Sequence, residues 1–199
     1  MPHRPPARER LIAAARKLFG EQGYARSTTR AIAAEAGVTE VTLFRHFGTK
    51  QNLFRSLVQQ QALEPMFARM EAMMSDDYAA DMLLLGRIFQ RVMKERHAQV
   101  RMMLCEAGQF PEVAEVMAEN PRRMRAFLAE YLARQQAAGR VRSGHVQALA
   151  QAFWGMFFAW GIAQGTLSQA LEPPISDDDL VRSFVDAFVA GTAASEEGA

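Results

Sequence analysis

Hydrogen-bonding side chains are closely spaced between Thr28 and Lys50, where the sequence reads TTRAIAAEAGVTEVTLFRHFGTK. Thr28 suits the N-cap of a first short helix, because its hydroxyl can accept from a free backbone N–H of the first turn. Gly37 follows where a left-handed residue would end that helix, a conformation that glycine adopts at little cost. Thr39 can then cap a second helix over residues 40 to 46 or 47. The spacing predicts two short helices joined by a tight turn.

The second of these helices has the shape and the side chains that reading of duplex DNA requires. Leu43 and Phe47 are four residues apart and would face inward, which leaves the polar side chains to face outward. A short helix of this kind can present polar groups to base edges and phosphates in the major groove. An ordinary helical hairpin, which is common in helical proteins, is the alternative.

The charge of the chain is divided unevenly along its length. The first 55 residues hold ten Lys and Arg against four Glu, a net charge of +6, and the rest hold 13 against 18 acidic residues, a net charge of −5. The value of +1 for the whole chain hides this division. A basic N-terminal module on an acidic body favours a head that binds phosphates.

The run from Gly37 to Lys50, G-V-T-x-x-T-L-F-x-H-F-x-x-K, resembles the signature of the TetR family of transcriptional regulators. The segment FGEQGY and the pattern K-x-x-L-F that begins at Lys50 fit the same family. The resemblance covers residues 7–60; beyond them only length and helical layout agree. It implies an all-α fold, with a three-helix DNA-binding head, predicted over 1–49. A helical ligand-binding and dimerisation domain is predicted over 50–199.

Three outward side chains of the second helix are candidates for reading base edges. Arg45 could pair bidentately with a guanine, Glu40 could accept from a cytosine, and Val41 could touch a thymine methyl. The resemblance also implies a DNA-binding role for Phe44, where the family usually has a tyrosine; phenylalanine keeps the packing without the hydroxyl. The predicted phosphate and backbone contacts are Thr28, Thr39, Thr42 and Lys50, to which the resemblance adds His46.

Side chains that could carry catalysis or hold a metal are scattered along the chain. None of the four histidines has a second ligand at zinc spacing, Cys105 has no CxxC partner, and there is no Gly-rich phosphate loop. We therefore predict no enzyme, no metal and no cofactor. The single cysteine and the lack of an apolar signal segment predict a cytoplasmic location.

Apolar spacing and helix-breaking residues predict the helices outside the two described above. Helices are predicted over 7–22, 78–97 and 98–109, and a further helix begins at 111. Pro65 predicts a break near 62–64, and Asn120-Pro121 predicts a break or a kink. Ser143 and Ser176 are the predicted N-caps of the last two helices.

Most of the twelve methionines fall in the central helices. For any single methionine, core packing is the simpler explanation. Taken together, soft side chains in helices flanked by prolines suit a cavity that repacks around an apolar ligand, and the resemblance implies such an effector. The expected lining is Phe67, Met70, Phe89, Met93, Met103 and Phe127.

The most apolar segment, residues 152–163, is shorter than the roughly 20 residues that cross a bilayer, so we predict a buried helix and no membrane contact. A helix that is apolar nearly all round must be covered on more than one side. An internal core could cover it, whereas TetR-like proteins pack their last two helices against a second subunit. The residues expected in such a dimer interface are Trp154, Phe158, Gly161, Gly165, Phe184 and Phe188.

These features predict a homodimer that binds double-stranded DNA at an inverted repeat, because one helix-turn-helix reads only half a site. The expected function is a sequence-specific transcriptional repressor released from its operator by an apolar small molecule. The alternatives are a helix-turn-helix regulator without a small-molecule ligand, and a small helical lipid carrier or enzyme.

Overall fold

The computed structural model describes residues 5–59, 64–167 and 175–194; the side chains of 59, 64–66, 97–99, 102 and 165–167 lie outside this description. The described residues are helical apart from turns and one isolated bridge between Val141 and Ala193, so the predicted all-α fold is confirmed. The helices are α1 (Ala7–Arg26), α2 (Thr29–Glu35), α3 (Glu40–Phe47), α4 (Lys50–Gln59), α5 (Glu64–Met73), α6 (Tyr78–Ala107), α7 (Pro111–Ala137), α8 (Val146–Leu167) and α9 (Asp177–Thr192).

The described residues form two compact units. The first combines α1 to α4 with the segment Gln99–Glu119, and the second combines Glu64–Ala98 with the chain from Asn120. The core of the first unit includes Met103 and Val116 from that later segment, so the unit that holds the predicted DNA-binding head contains residues distant in sequence. The division into a DNA-binding domain over 1–49 and a second domain over 50–199 remains a prediction.

The helix ends of the first unit follow the predicted turn chemistry. Thr28 and Thr39 are the N-caps of α2 and α3, and Gly37 has a left-handed φ of 63°. Gly23 interrupts α1 with a φ of 83°, after which one further turn reaches Arg26. The regular part of α1 therefore ends at residue 22, as the predicted helix over 7–22 does.

One boundary predicted among the central helices is wrong. The two helices expected over 78–97 and 98–109 are one helix, α6, because no Gly or Pro lies between Met93 and Gly108 to end it. Of the two outcomes left open at Asn120-Pro121, a break is excluded, because α7 continues through Pro121.

Of the N-caps predicted for the last two helices, one is confirmed and one is wrong. Ser176 accepts a hydrogen bond from Asp179 N at 3.1 Å, as predicted. Ser143 is not the cap of α8, which begins at Val146, three residues further on.

The break expected before Pro65 falls partly on residues 60–63, outside the described residues. Pro65 lies in the first turn of α5, where its missing N–H costs little.

One face of α8 belongs to the core of the second unit. Phe153 and Phe157 are fully buried there, with ring centres 5.2 Å apart. The opposite face, with Ala152, Phe158 and Ala159, is exposed, so the predicted burial of this helix holds for one side only. By length and composition Val146–Gln164 could cross a membrane; 28% of it is buried within the described structure.

A buried carboxylate holds the start of α6 against α7. Asp81 is 1% exposed and accepts from the backbone N–H groups of Ser75 at 2.8 Å and Asp76 at 3.1 Å. The Tyr131 hydroxyl donates to the same carboxylate at 2.8 Å. Burial and the neighbouring Asp81 raise the pKa of Tyr131, so its hydroxyl stays protonated at an alkaline pH that would ionise an exposed tyrosine. This network orders the turn between α5 and α6.

Tyr131→Phe is expected to lower the free energy of unfolding by about 1.5–3 kcal/mol, because a buried carboxylate loses a hydrogen-bond donor. Chemical denaturation measures the loss. Tyr78→Phe is the matched control: its hydroxyl pairs at 2.6 Å with the hydroxyl of Thr192, which keeps the Phe188 carbonyl as a partner. The control should lose only about 0.5–1.5 kcal/mol. Equal losses in the two variants would contradict the special role of the carboxylate.

Candidate nucleic-acid interface

The helix α3 divides into a buried and an exposed side, as predicted. Leu43 is fully buried and Phe47 is 6% exposed, so both belong to the core of the first unit. Val41 is 77% and Phe44 is 46% exposed, which is unusual for large apolar side chains. Arg45 is exposed beside them. This face combines apolar groups and a cation, the two kinds of group that contact thymine methyls and guanines.

The threonines of the site carry out the capping on which both helices depend. Thr28 Oγ1 accepts from Ala31 N at 3.1 Å, and Thr39 Oγ1 accepts from Thr42 N at 3.3 Å. The hydroxyls of Thr39 and Thr42 are 2.9 Å apart and share a hydrogen bond. Thr28 and Thr39 are both exposed, and their contacts with the DNA backbone remain predictions.

Glu40 has a partner inside the protein. Its carboxylate accepts from the Thr29 hydroxyl at 2.5 Å, which joins the first turn of α2 to the first turn of α3. A carboxylate held in this way has a fixed position at the start of the recognition helix. Its expected contact with a cytosine therefore has to be made from that position, or in exchange for the contact with Thr29.

Lys50 also contacts the protein. Its Nζ donates to the Tyr24 carbonyl at 2.5 Å and lies 4.1 Å from the centre of the Tyr24 ring. Burial lowers the pKa of Lys50, while the nearby carboxylates Glu106 and Glu112 act in the opposite direction. The predicted phosphate contact of Lys50 remains a prediction, and the structure adds a second role, that of joining α4 to the end of α1.

The segment Gln99–Glu119 contacts the head next to Lys50. The Phe110 ring lies 5.7 Å from the Tyr24 ring, and Glu106 accepts from Ala25 N at 3.4 Å. Gly23 is required for its φ of 83°, and a Cβ there would also displace the Glu106 carboxylate. Sequence reasoning missed these residues, because contacts across 81 positions leave no local pattern.

The predicted ligand residues are divided between the two units. Met103 is in the core of the first unit, whereas the others belong to the second. Within the second unit the rings of Phe67 and Phe127 stack at 5.2 Å, and Phe89 lies 5.1 Å from Trp154. Met70 and Met93 are buried. A surface groove of about 390 Å³ in this unit has a different lining, formed by α6 and α9.

The predicted dimer residues lie mostly inside the chain. Trp154 is buried and donates to the Met124 carbonyl at 3.0 Å, and the Phe188 ring is 5.1 Å from that of Phe153. The other positions are a half-buried Phe184, Gly161 in close contact with Met93, Phe158 at 38% exposure, and Gly165, whose surroundings lie outside the described residues. In the part of the chain that the structure describes, no three His, Cys, Asp or Glu residues form a group that could hold a metal.

Two sequence profiles match the chain. The profile described as bacterial regulatory proteins of the tetR family matches residues 11–57, and that of the AefR-like transcriptional repressor C-terminal domain matches residues 80–191. A helix-turn-helix head followed by such a body defines a DNA-binding transcriptional regulator and not an enzyme. The chain belongs to the TetR family, with an AefR-like C-terminal domain.

Known proteins agree with this assignment. YvkB of Bacillus subtilis (strain 168), an HTH-type transcriptional regulator, is 29% identical over 157 residues, which cover 79% of this chain and 82% of the relative. The repressor AcnR of Corynebacterium glutamicum is 34% identical over 71 residues, 36% of this chain and 35% of that one. The flavonoid-responsive regulator FrrA has a TM-score of 0.76 at 22% identity and covers 94% of this chain and 97% of its own. The fatty acid degradation regulator FadR of Bacillus halodurans shares the fold at a TM-score of 0.70 and 18% identity, with 93% and 95% covered.

Arg45→Lys is expected to relax the base preference at one position of the binding site, at a cost of about 1–3 kcal/mol for the preferred duplex, because lysine lacks the bidentate geometry. Selection of bound duplexes from a random pool, for wild type and variant, measures the preference. The variant keeps the charge, so the salt dependence of binding to random DNA should stay unchanged. Wild-type preference in the variant would show that Arg45 contacts phosphate only.

Proposed function

We propose that this regulator is a homodimeric repressor that binds an inverted repeat and leaves it when an apolar small molecule binds in the second unit. The observation that supports the proposal is the exposed face of α3, which carries Val41, Phe44 and Arg45. The helix is capped at its start, and its inner side is buried in the core. Because the chain belongs to a family of DNA-binding regulators, we infer that this mixed face contacts the edges of DNA bases.

The exposed sides of α8 and α9 support the homodimer. Phe158 is 38% exposed on α8, between small residues such as Ala152 and Ala159. On α9 the exposed side includes Ser183 and Ala187. Small residues let helix backbones approach closely, and an exposed ring between them gives apolar area to bury. A specific interface needs about 800 Å² from each partner, which two helices of this length can supply.

Phe158→Glu is expected to convert the dimer to a monomer, because it places a carboxylate in the apolar centre of the proposed interface. Sedimentation equilibrium measures the molecular mass. Affinity for a two-half-site duplex should fall by about 10²–10⁴, the factor that linking two half-sites provides.

Met73→Glu is the matched control for Phe158→Glu, since Met73 is 50% exposed on α5. It makes the same kind of change away from the α8 and α9 face and should leave the dimer intact. A monomeric control, or a dimeric Phe158→Glu protein, would place the interface elsewhere.

The aromatic and methionine interior of the second unit supports an apolar effector. Met70 and Met93 are buried, and Phe67 stacks on Phe127 at 5.2 Å, so the interior offers soft and flat apolar surfaces. The fold is shared with a flavonoid-responsive regulator and a regulator of fatty acid degradation. We infer an effector of similar apolar character, a cytoplasmic site of action and no membrane partner.

The neutral dye N-phenyl-1-naphthylamine tests the effector step. It is expected to bind saturably, and operator duplex should weaken dye binding by the factor by which the dye weakens operator binding, since coupling between two sites is reciprocal. A scrambled duplex is the control. Absence of saturable binding would favour a regulator without a small-molecule ligand. Dye binding in a protein that selects no duplex at all would favour a carrier.

A further inference from the structure

Two arginines in the first turn of α1 contact the helix-turn-helix. Arg10 Nη1 donates to the carbonyl oxygen of Ala36 at 2.7 Å and lies 3.4 Å from that of Gly37. The Arg8 guanidinium carbon lies 5.4 Å from the centre of the Phe47 ring. Arg10 therefore holds the turn that precedes α3, and Arg8 contacts the opposite end of α3.

The turn between α2 and α3 satisfies only part of its backbone by itself. Gly37 N donates to Ala34 O and Val38 N donates to Ala33 O, both at 3.0 Å, which is the Schellman pattern of a helix end. That pattern uses carbonyls one turn back and does not use those of Ala36 and Gly37. Arg10 supplies a donor for them from 26 residues away.

The placement of Arg10 has an energetic cost that a merely solvated arginine would not have. Its Nε is buried and has no hydrogen-bond partner in the described residues. An unpaired buried donor costs free energy, so the contact with the turn must offset that cost. The positive charge at the carboxyl end of α2 also favours the helix dipole.

We propose that Arg10 is a positioning residue for sequence recognition. Its guanidinium fixes the turn and so the direction in which α3 presents Val41 and Arg45. Base contacts determine specificity, whereas phosphate contacts determine register and overall affinity. A shift of α3 therefore removes base discrimination and leaves the electrostatic attraction to DNA. Arg10 counts as a basic residue of the head in the sequence, but its donor is used by the protein's own backbone.

Arg10→Met and Arg16→Met form a matched pair, because Arg16 is exposed on the same helix and its replacement removes the same charge. The probes are the duplex that wild type selects from a random pool and poly(dI-dC), each at two salt concentrations. We expect Arg10→Met to lose at least ~10-fold more affinity for the selected duplex than Arg16→Met. On poly(dI-dC), Arg10→Met should lose no more affinity and no more salt slope than Arg16→Met, because the Arg10 donor is already used by the protein.

Arg10→Lys keeps the charge and decides the question even where the Met variant fails to fold. Nη1 alone contacts both carbonyls, and a lysine ammonium on its flexible stem holds such a position less well than the planar guanidinium does. Its binding to poly(dI-dC) should match wild type, and its preference for the selected duplex should fall several-fold. A wild-type preference in Arg10→Lys would overturn the inference.

The inference rests on DNA reading by this head. A wild-type protein that selects no duplex would overturn both the proposed function and the role of Arg10. A wild-type protein that selects a duplex, with Arg10 variants that keep the same preference, would overturn the role of Arg10 alone.

Discussion

The Tyr24 side chain is the contact on which the DNA-binding head depends. Its ring lies 5.4 Å from the Phe19 ring, 5.3 Å from that of Phe54 and 5.7 Å from that of Phe110. It thereby joins α1, α4 and the segment before α7, while its carbonyl accepts from Lys50. Aromatic pairs at such distances stabilise beyond the area they bury. The recognition helix is thus supported by a core that three distant parts of the chain build together.

The parts of the site that the sequence predicts well are those fixed by neighbouring residues. The caps at Thr28 and Thr39 and the left-handed Gly37 follow from local hydrogen bonding and backbone sterics, and the structure confirms all three. The inward Leu43 and Phe47 follow from helical periodicity. These features suffice to define the helix-turn-helix, because that motif is itself local.

The parts that the sequence does not predict depend on contacts across long separations. Lys50 looks like a free cation in the sequence, yet its Nζ is held by the Tyr24 carbonyl. Neither the continuity of α6 nor the place of Met103 in the head core follows from apolar spacing, since the same pattern fits two helices or one. Trp154 and Phe188, predicted at a dimer interface, are buried within the chain, because large apolar side chains suit a core as well as an interface.

The basic character of the head therefore combines two kinds of cation. Some of its charges are exposed and available to phosphates, whereas Arg10 and Lys50 donate to backbone carbonyls of the protein. Net charge predicts attraction to a polyanion, but it does not tell which cations make the contact. The exposed face of α3 remains the feature that can distinguish one base sequence from another.

The packing of Gln99–Glu119 into the head has a consequence for exchanging parts among regulators. A chimaera could join this helix-turn-helix, cut after α4, to the body of another family member. It would separate Tyr24 from Phe110, whose ring centres are 5.7 Å apart, and Arg55 from Glu119, which form an ion pair at 3.0 Å. It would also separate Gly23 from Glu106, which are in close contact. The transplanted head would lack part of its own core. A functional exchange has to include the segment Gln99–Glu119 together with the N-terminal helices. The part that can be transferred intact is therefore larger than the helix-turn-helix itself.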